Sequence, residues 1–192
     1  MQTSHLKRRM SGVPAGMMLI FSCLPAFVFT PATSFADELE MKAALVFKLT
    51  RFISWPDETT ENKDGTLTIC SSVHDPINPY LDPLQGELSN GRAIDIRHID
   101  NVEEIKAACK LLYVSKESIH NRIPALKNSP VLTISDLVGF AKKGGMIEIA
   151  RRNERLRFQI NLSSAVATGI KISAPLLKIS TVIRDDAAEG TK

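Results

Sequence analysis

Between Asp37 and the C-terminus the apolar residues pass from helical spacing to short buried runs and then to alternation. From Asp37 to Ser54, Leu39, Ala43, Val46, Phe47 and Phe52-Ile53 predict a helix with one apolar face. Trp55-Pro56 stops it, because the residue before proline is pushed out of the helical region. Glu61 to Gly65 reads as a polar loop. Leu67 to Cys70, Leu111 to Ser115 and Pro130 to Ser135 are nearly unbroken apolar runs, as strands covered on both faces require. Asp75 to Gly86, punctuated by Pro76, Pro79 and Pro83, reads as a loop with a short helix. Asn90-Gly91 is a turn ahead of the alternating Ala93-Ile94-Asp95-Ile96-Arg97. Asn101 to Ala108 predicts a helix capped by Asn101 or Asp100, with Glu103-Glu104 in the turn where the dipole favours acids. Lys116 to Leu126 predicts another.

Past Ser135 the pattern turns antiparallel. Met146 to Arg151 and Arg155 to Asn161 form a hairpin if the turn centres on Asn153-Glu154. That register sets Ile147 against Ile160, Ile149 against Phe158 and Arg151 against Leu156, leaving Glu148, Gln159 and Arg157 on the other face. Asn161 is placed to cap a short helix, Leu162 to Thr168, ended by Gly169. Ser173 is placed to cap a last helix that carries Pro175 in its first turn. Ile183 to Lys192 reads as a frayed tail. The element order predicts a single α/β domain: a mainly parallel sheet with helices on both faces and a C-terminal antiparallel hairpin.

The first 36 residues are of another kind. Lys7, Arg8 and Arg9 precede the apolar run Val13 to Phe29, and Ser34-Phe35-Ala36 places small residues at −3 and −1 before Asp37. This predicts a signal peptide cleaved after Ala36, a domain over 37–184 and a tail over 185–192. A retained anchor fits less well, because the run is short and interrupted by Pro14, Ser22 and Pro25. Ile20-Phe21-Ser22-Cys23 is a poor lipoprotein box, since Phe21 is bulky.

Without the leader's three bases, the excess of 24 Lys+Arg over 21 Asp+Glu disappears, so no pull toward nucleic acid is expected. Two cysteines remain, Cys70 and Cys109. In an oxidising compartment they would form a disulfide worth roughly 4 kcal/mol by loop closure, the alternative being two buried thiols.

Candidate chemistry is sparse. His74, His98 and His120 lack metal-ligand spacing, and no nucleophile elbow or phosphate-cradling glycine loop is present. Glu103-Glu104 are sequence neighbours that face apart, Asp185-Asp186 lie in the tail, and Gly144-Gly145 precede a strand rather than a helix. No enzyme activity, metal or cofactor is expected. Lys142, Lys143, Arg151, Arg152, Arg155 and Arg157 form a basic set toward the hairpin that suits an anion or a partner, or a charged strand edge.

Two stretches carry a resemblance. One is Lys42-Ala43-Ala44-Leu45-Val46-Phe47-Lys48-Leu49-Thr50-Arg51-Phe52-Ile53-Ser54-Trp55-Pro56. The other is Val131-Leu132-Thr133-Ile134-Ser135-Asp136, followed by Gly139-Phe140-Ala141, Gly144-Gly145-Met146-Ile147 and Phe158-Gln159-Ile160-Asn161. Between them lie Leu67-Thr68-Ile69-Cys70, Asn90-Gly91-Arg92 and Cys109-Lys110-Leu111-Leu112-Tyr113-Val114. In order and spacing the chain resembles the YfiR family of periplasmic proteins. The resemblance implies a non-enzymatic repressor that binds the periplasmic region of an inner-membrane diguanylate cyclase. An OmpA-like outer-membrane lipoprotein would sequester it, and homodimers are typical. It also implies that Cys70 and Cys109 are the core disulfide. A second bridge of some members is missing, since Gly145, Met146, Arg151 and Arg152 stand near its place.

The contact surface is expected over Asp136 to Arg157, with Lys142, Lys143, Arg151, Arg152 and Arg155 steering an acidic partner. Phe140 and Met146 would anchor it if exposed and otherwise pack in the core. Glu148 with Arg157 would hold a small polar ligand or form an ordinary cross-strand pair. Trp55 is expected to plug the first helix against the sheet. The alternative function is a periplasmic small-ligand sensor that passes its state to a membrane receptor.

Overall fold

The computed structural model describes residues 35–56, 65–115, 121, 123–152 and 155–184. Helix α1 (Phe35–Leu49) buries Leu39, Ala43 and Val46, the stripe its spacing predicts. It ends earlier than the apolar pattern suggests. Thr50–Phe52 tightens into a 3-10 turn, and Ile53–Ser54 becomes strand β1, paired antiparallel with β9 (Lys171–Ile172). The Thr50 hydroxyl explains part of this change: it bonds back to the Phe47 carbonyl and is buried against Ser89 Oγ, each at 2.6 Å. The polar loop expected over Glu61 to Gly65 lies almost wholly outside the described residues.

The remaining elements are β2 (Leu67–Ser71), α2 (Asn78–Leu81), β3 (Leu88–Ser89), β4 (Arg92–His98), α3 (Val102–Ala108) and β5 (Leu111–Val114). They continue with β6 (Leu132–Ser135), β7 (Ile147–Arg152), β8 (Arg155–Asn161), α4 (Leu162–Ala167), α5 (Ala174–Lys178) and β10 (Ser180–Ile183). Of the helix expected over Lys116 to Leu126, residues 116–120 and 122 lie outside the described set. Ile123–Leu126 is a 3-10 turn, as Pro124 near its start favours over continued α-helix.

Among the described residues, eight strands form one sheet in the order β10-β8-β7-β6-β5-β2-β4-β3. Every pairing is parallel except β7 with β8 and β3 with β4. The mainly parallel sheet with a C-terminal antiparallel hairpin is therefore the observed fold. The hairpin adopts the register read from its pattern, with Ile147 opposite Ile160, Ile149 opposite Phe158 and Arg151 opposite Leu156. At the β3–β4 turn, Asn90 and Gly91 both have positive φ, the geometry that an Asn-Gly pair supplies to a tight hairpin.

Alternation along the buried strands divides the core. Leu111 and Tyr113 point to the face covered by α1, with Ile69, Ile94, Ile134 and Trp55. Leu112 and Val114 point to the other, with Ile105 of α3, Leu126, Phe140 and the Cys70–Cys109 pair. The two cysteines are disulfide-bonded, with Cα atoms 5.9 Å apart. Trp55 closes the first face as expected, donating its ring N–H to the Lys110 carbonyl at 2.8 Å beneath the Arg92 guanidinium.

Capping follows sequence at two sites. Asn101 accepts from the Glu103 and Glu104 amides, and Asn161 from the Ser164 amide. Ser173 corrects the third expectation. It stands at the N-cap of α5, but its hydroxyl makes no cap bond and is buried without a partner among the described residues. The C-terminus holds another correction. Ile183, expected to begin the frayed tail, instead ends strand β10, in which Ser180 to Ile183 pair in parallel with Phe158 to Asn161. Residues 185–192 lie outside the described set.

Candidate functional site

Parallel strands give this sheet two unlike edges. At the carboxyl end of β6, Asp136 meets the first turns of α1, and β7 runs on past it toward the hairpin tip. Lys42, buried on α1, places its ammonium 2.8 Å from Glu38 Oε1 and 2.5 Å from Asp136 Oδ2. Arg151 extends the chain of charges, 3.9 Å from the other Glu38 oxygen. The Lys42 hydrogen bond and charge hold the Glu38 carboxyl below its ordinary 4.5. Burial opposes the charge on Lys42, but the bonds to Asp136 and Glu38 outweigh it and leave the ammonium above its ordinary 10.5. Burial, then the charges of Asp136 and Asp75, push the Tyr113 phenol far above its usual range. That hydroxyl lies within reach of the Asp136 field yet makes no well-formed hydrogen bond among the described residues.

Glu38, Lys42, Asp136 and Arg151 border a cavity of about 250 Å³, together with Met41, Val138, Glu148 and Gln159. Glu148 is 1% exposed, and its carboxylate accepts from the Gly139 amide at 3.2 Å, the Ala141 amide at 3.1 Å and Gln159 Nε2 at 3.4 Å. Its oxygens therefore clamp the loop between β6 and β7. The sequence pairs Glu148 with Arg157, but the register sets Glu148 opposite Gln159 and Arg157 opposite Ala150.

Nearby, Ser71, His98 and Asp82 line up with two 2.9 Å contacts, the order of a nucleophilic triad. Chemistry is barred there. Ser71 is fully buried and gives its proton to Asn78 Oδ1 at 2.7 Å, so it presents no hydroxyl to a substrate. Asn78 is fixed in that orientation by donating to the Ser72 and Val73 carbonyls.

The amino ends of β6 and β7 carry a second, larger cavity of about 450 Å³. Ile123, Leu126, Val131 and Met146 give it apolar walls, and the exposed Lys127 and Lys143 stand at its rim. Asn161 holds this region together by capping α4 and donating to the Ala141 carbonyl at 3.0 Å.

The basic set is thus divided. Lys142 and Lys143 sit in the 3-10 turn before β7, at the amino edge, whereas Arg151, Arg152 and Arg155 lie at the hairpin tip, with Arg157 one step below. Phe140 and Met146 do not offer anchors. Phe140 is fully buried and Met146 nearly so, because Phe140 fills the space above Gly145. A Cβ at Gly145 would run into the Phe140 ring, so a cysteine at 145 does not fit beside this core. The exposed apolar residue of the loop is Val138, at 92%, with the half-exposed Met41 on the same cavity. The Glu38–Lys42 pair was readable as an i,i+4 ion pair on a helix, but Asp136 is 94 residues away.

Among the described residues no cluster of acids, histidines or cysteines could hold a metal, and no helix is long and apolar enough to cross a membrane. A family model described as YfiR/HmsC-like matches residues 39–181. No curated protein matches. Among solved structures, an ABC domain in complex with L-Trp from Streptococcus pneumonia aligns at TM-score 0.47 and 14% identity, covering 73% of this chain and 60% of that one. A conserved domain protein from Vibrio cholerae aligns at TM-score 0.48 and 10% identity, covering 77% and 60%. The chain thus spans about three fifths of the length of each.

Proposed function

Because the chain belongs to the YfiR/HmsC-like family of periplasmic regulators of diguanylate cyclase signalling, we propose that it represses an inner-membrane diguanylate cyclase by binding the enzyme's periplasmic region. The observation that carries this reading is the family match across residues 39–181. The buried Cys70–Cys109 disulfide suits the oxidising compartment that the leader would deliver it to. Export with cleavage after Ala36, homodimer formation and sequestration by an OmpA-like lipoprotein belong to the same proposal.

The contact surface is the carboxyl edge of the sheet. Val138 projects from a loop fixed by Glu148, and Met41 and Arg151 line the same cavity. An apolar side chain held on a clamped loop, beside the partly exposed Arg151, suits an apolar pocket on a partner, since little ordering entropy is lost on docking. Repression is then a population shift. The protein favours the inactive arrangement of the cyclase by its differential affinity for the two states, and a competitor for the same surface releases it.

The test is cellular cyclic-di-GMP in a deletion strain, complemented with the full chain or with a chain lacking residues 1–36. A rise on deletion, reversed only by the full chain, is expected. No rise would overturn the reading. Val138→Asp should fail to restore repression while folding normally.

A further inference from the structure

The cavity at the amino ends of β6 and β7 is separate from the docking surface just described and is built differently. Ile123, Leu126, Val131 and Met146 belong to the buried apolar set, so the walls are rigid core rather than loose surface. Its volume of about 450 Å³ falls within the range of roughly 300–1,000 Å³ over which proteins enclose small molecules. Lys127 and Lys143 stand at the mouth, and none of the described residues lining the cavity is acidic. Hydroxyls of Ser163, Ser164 and Thr168 complete the rim.

An apolar chamber with a positive mouth selects one kind of molecule. A neutral apolar compound gains only the walls, and a small inorganic anion gains only the rim. A compound with an apolar body and a terminal carboxylate gains both. We propose that this cavity binds a small amphipathic carboxylate, its body against Leu126, Val131 and Met146 and its anionic end between Lys127 and Lys143. The site depends on Asn161, whose two hydrogen bonds hold α4 and the turn carrying Lys143 in place. It does not depend on the cyclase reading, because neither lysine lies on the Val138 surface.

Octanoate serves as the probe, with 1-octanol as the same body without charge and inorganic phosphate as the charge without a body. Binding is followed by amide chemical shifts in the purified full chain. Octanoate should move the amides of Leu126, Asn128, Gly144 and Ser164 saturably, with octanol and phosphate at least about tenfold weaker. Lys127→Glu combined with Lys143→Glu should weaken octanoate at least about tenfold and leave octanol unchanged. Ala167→Trp, which fills the cavity from an exposed wall position, should abolish both. Octanol binding as tightly as octanoate, or shifts that persist in the Trp variant, would overturn the proposal.

Discussion

The two cavities lie at opposite ends of the same strands, and the one with more charge is the less suited to a small ligand. Carboxyl edges of α/β sheets are where ligands usually bind. Here that edge is occupied by the protein's own pairs: Lys42 with Glu38 and Asp136, and Glu148 with two backbone amides. The amino edge has fewer ionisable groups, yet its two lysines face an apolar chamber with no described acid in the lining. What distinguishes the two is not charge count but the company of the charges: acids and bases line the carboxyl-edge cavity together, whereas lysines stand beside apolar walls in the other. The carboxyl edge is fastened and presents a surface; the amino edge leaves a chamber.

This contrast can be broken from either side. Cys70→Ser removes the bridge across the face that also carries Leu126 and Val131, and should cost about 4 kcal/mol by denaturant titration. Hydrogen exchange should then quicken at Leu126 and Val131 more than at Ile149; equal quickening would mean that the faces are not separately secured. Glu148→Ala should cost about 3 kcal/mol, because it strands the Gly139 and Ala141 amides. A loss below about 1 kcal/mol in the same titration would show that the clamp is dispensable.

Lys42→Met should cost about 2 kcal/mol, less than a fully buried pair because Glu38 and Asp136 keep some water. It should also flatten the pH profile of stability. The lowered Glu38 value gives stability above the ordinary carboxylate range that is lost as pH falls through the folded value. The raised Lys42 value gives stability below 10.5 that is lost as pH rises through the folded value. The variant should lose the alkaline contribution and keep only the small acid-side share that Arg151 supplies at Glu38. The smallest effect belongs to the other edge: Lys127→Glu with Lys143→Glu should change stability by less than about 0.5 kcal/mol.

What the sequence discloses divides by distance along the chain. The hairpin register and the Asn101 and Asn161 caps depend on residues a few positions apart, and the apolar pattern states them. The same holds for the turn at Asn90-Gly91. Strand β10 escapes because Ser180-Thr181-Val182-Ile183 is a short, half-exposed edge, and its pairing with β8 comes only after a crossover through α4 and α5. The two-residue strands β1 and β9 have no pattern to show. At the site, Glu38 and Lys42 are visible as a helical pair, but Asp136 is brought to them only by the fold. Phe140 and Val138 share a loop, and composition alone does not tell which one turns inward. Gly145 decides it, by leaving room for the ring.

The last strand also sets an order of events. A chain made and delivered from its N-terminus completes β8 before residues 180–183 arrive, so until then the outer edge of β8 lies open, with Phe158 and Ile160 along it. An open edge of this kind is a template for a neighbouring chain. A product truncated ahead of Ser180 would keep that edge permanently, so Ser180 to Ile183 act as a closure that separates finished molecules from sticky fragments.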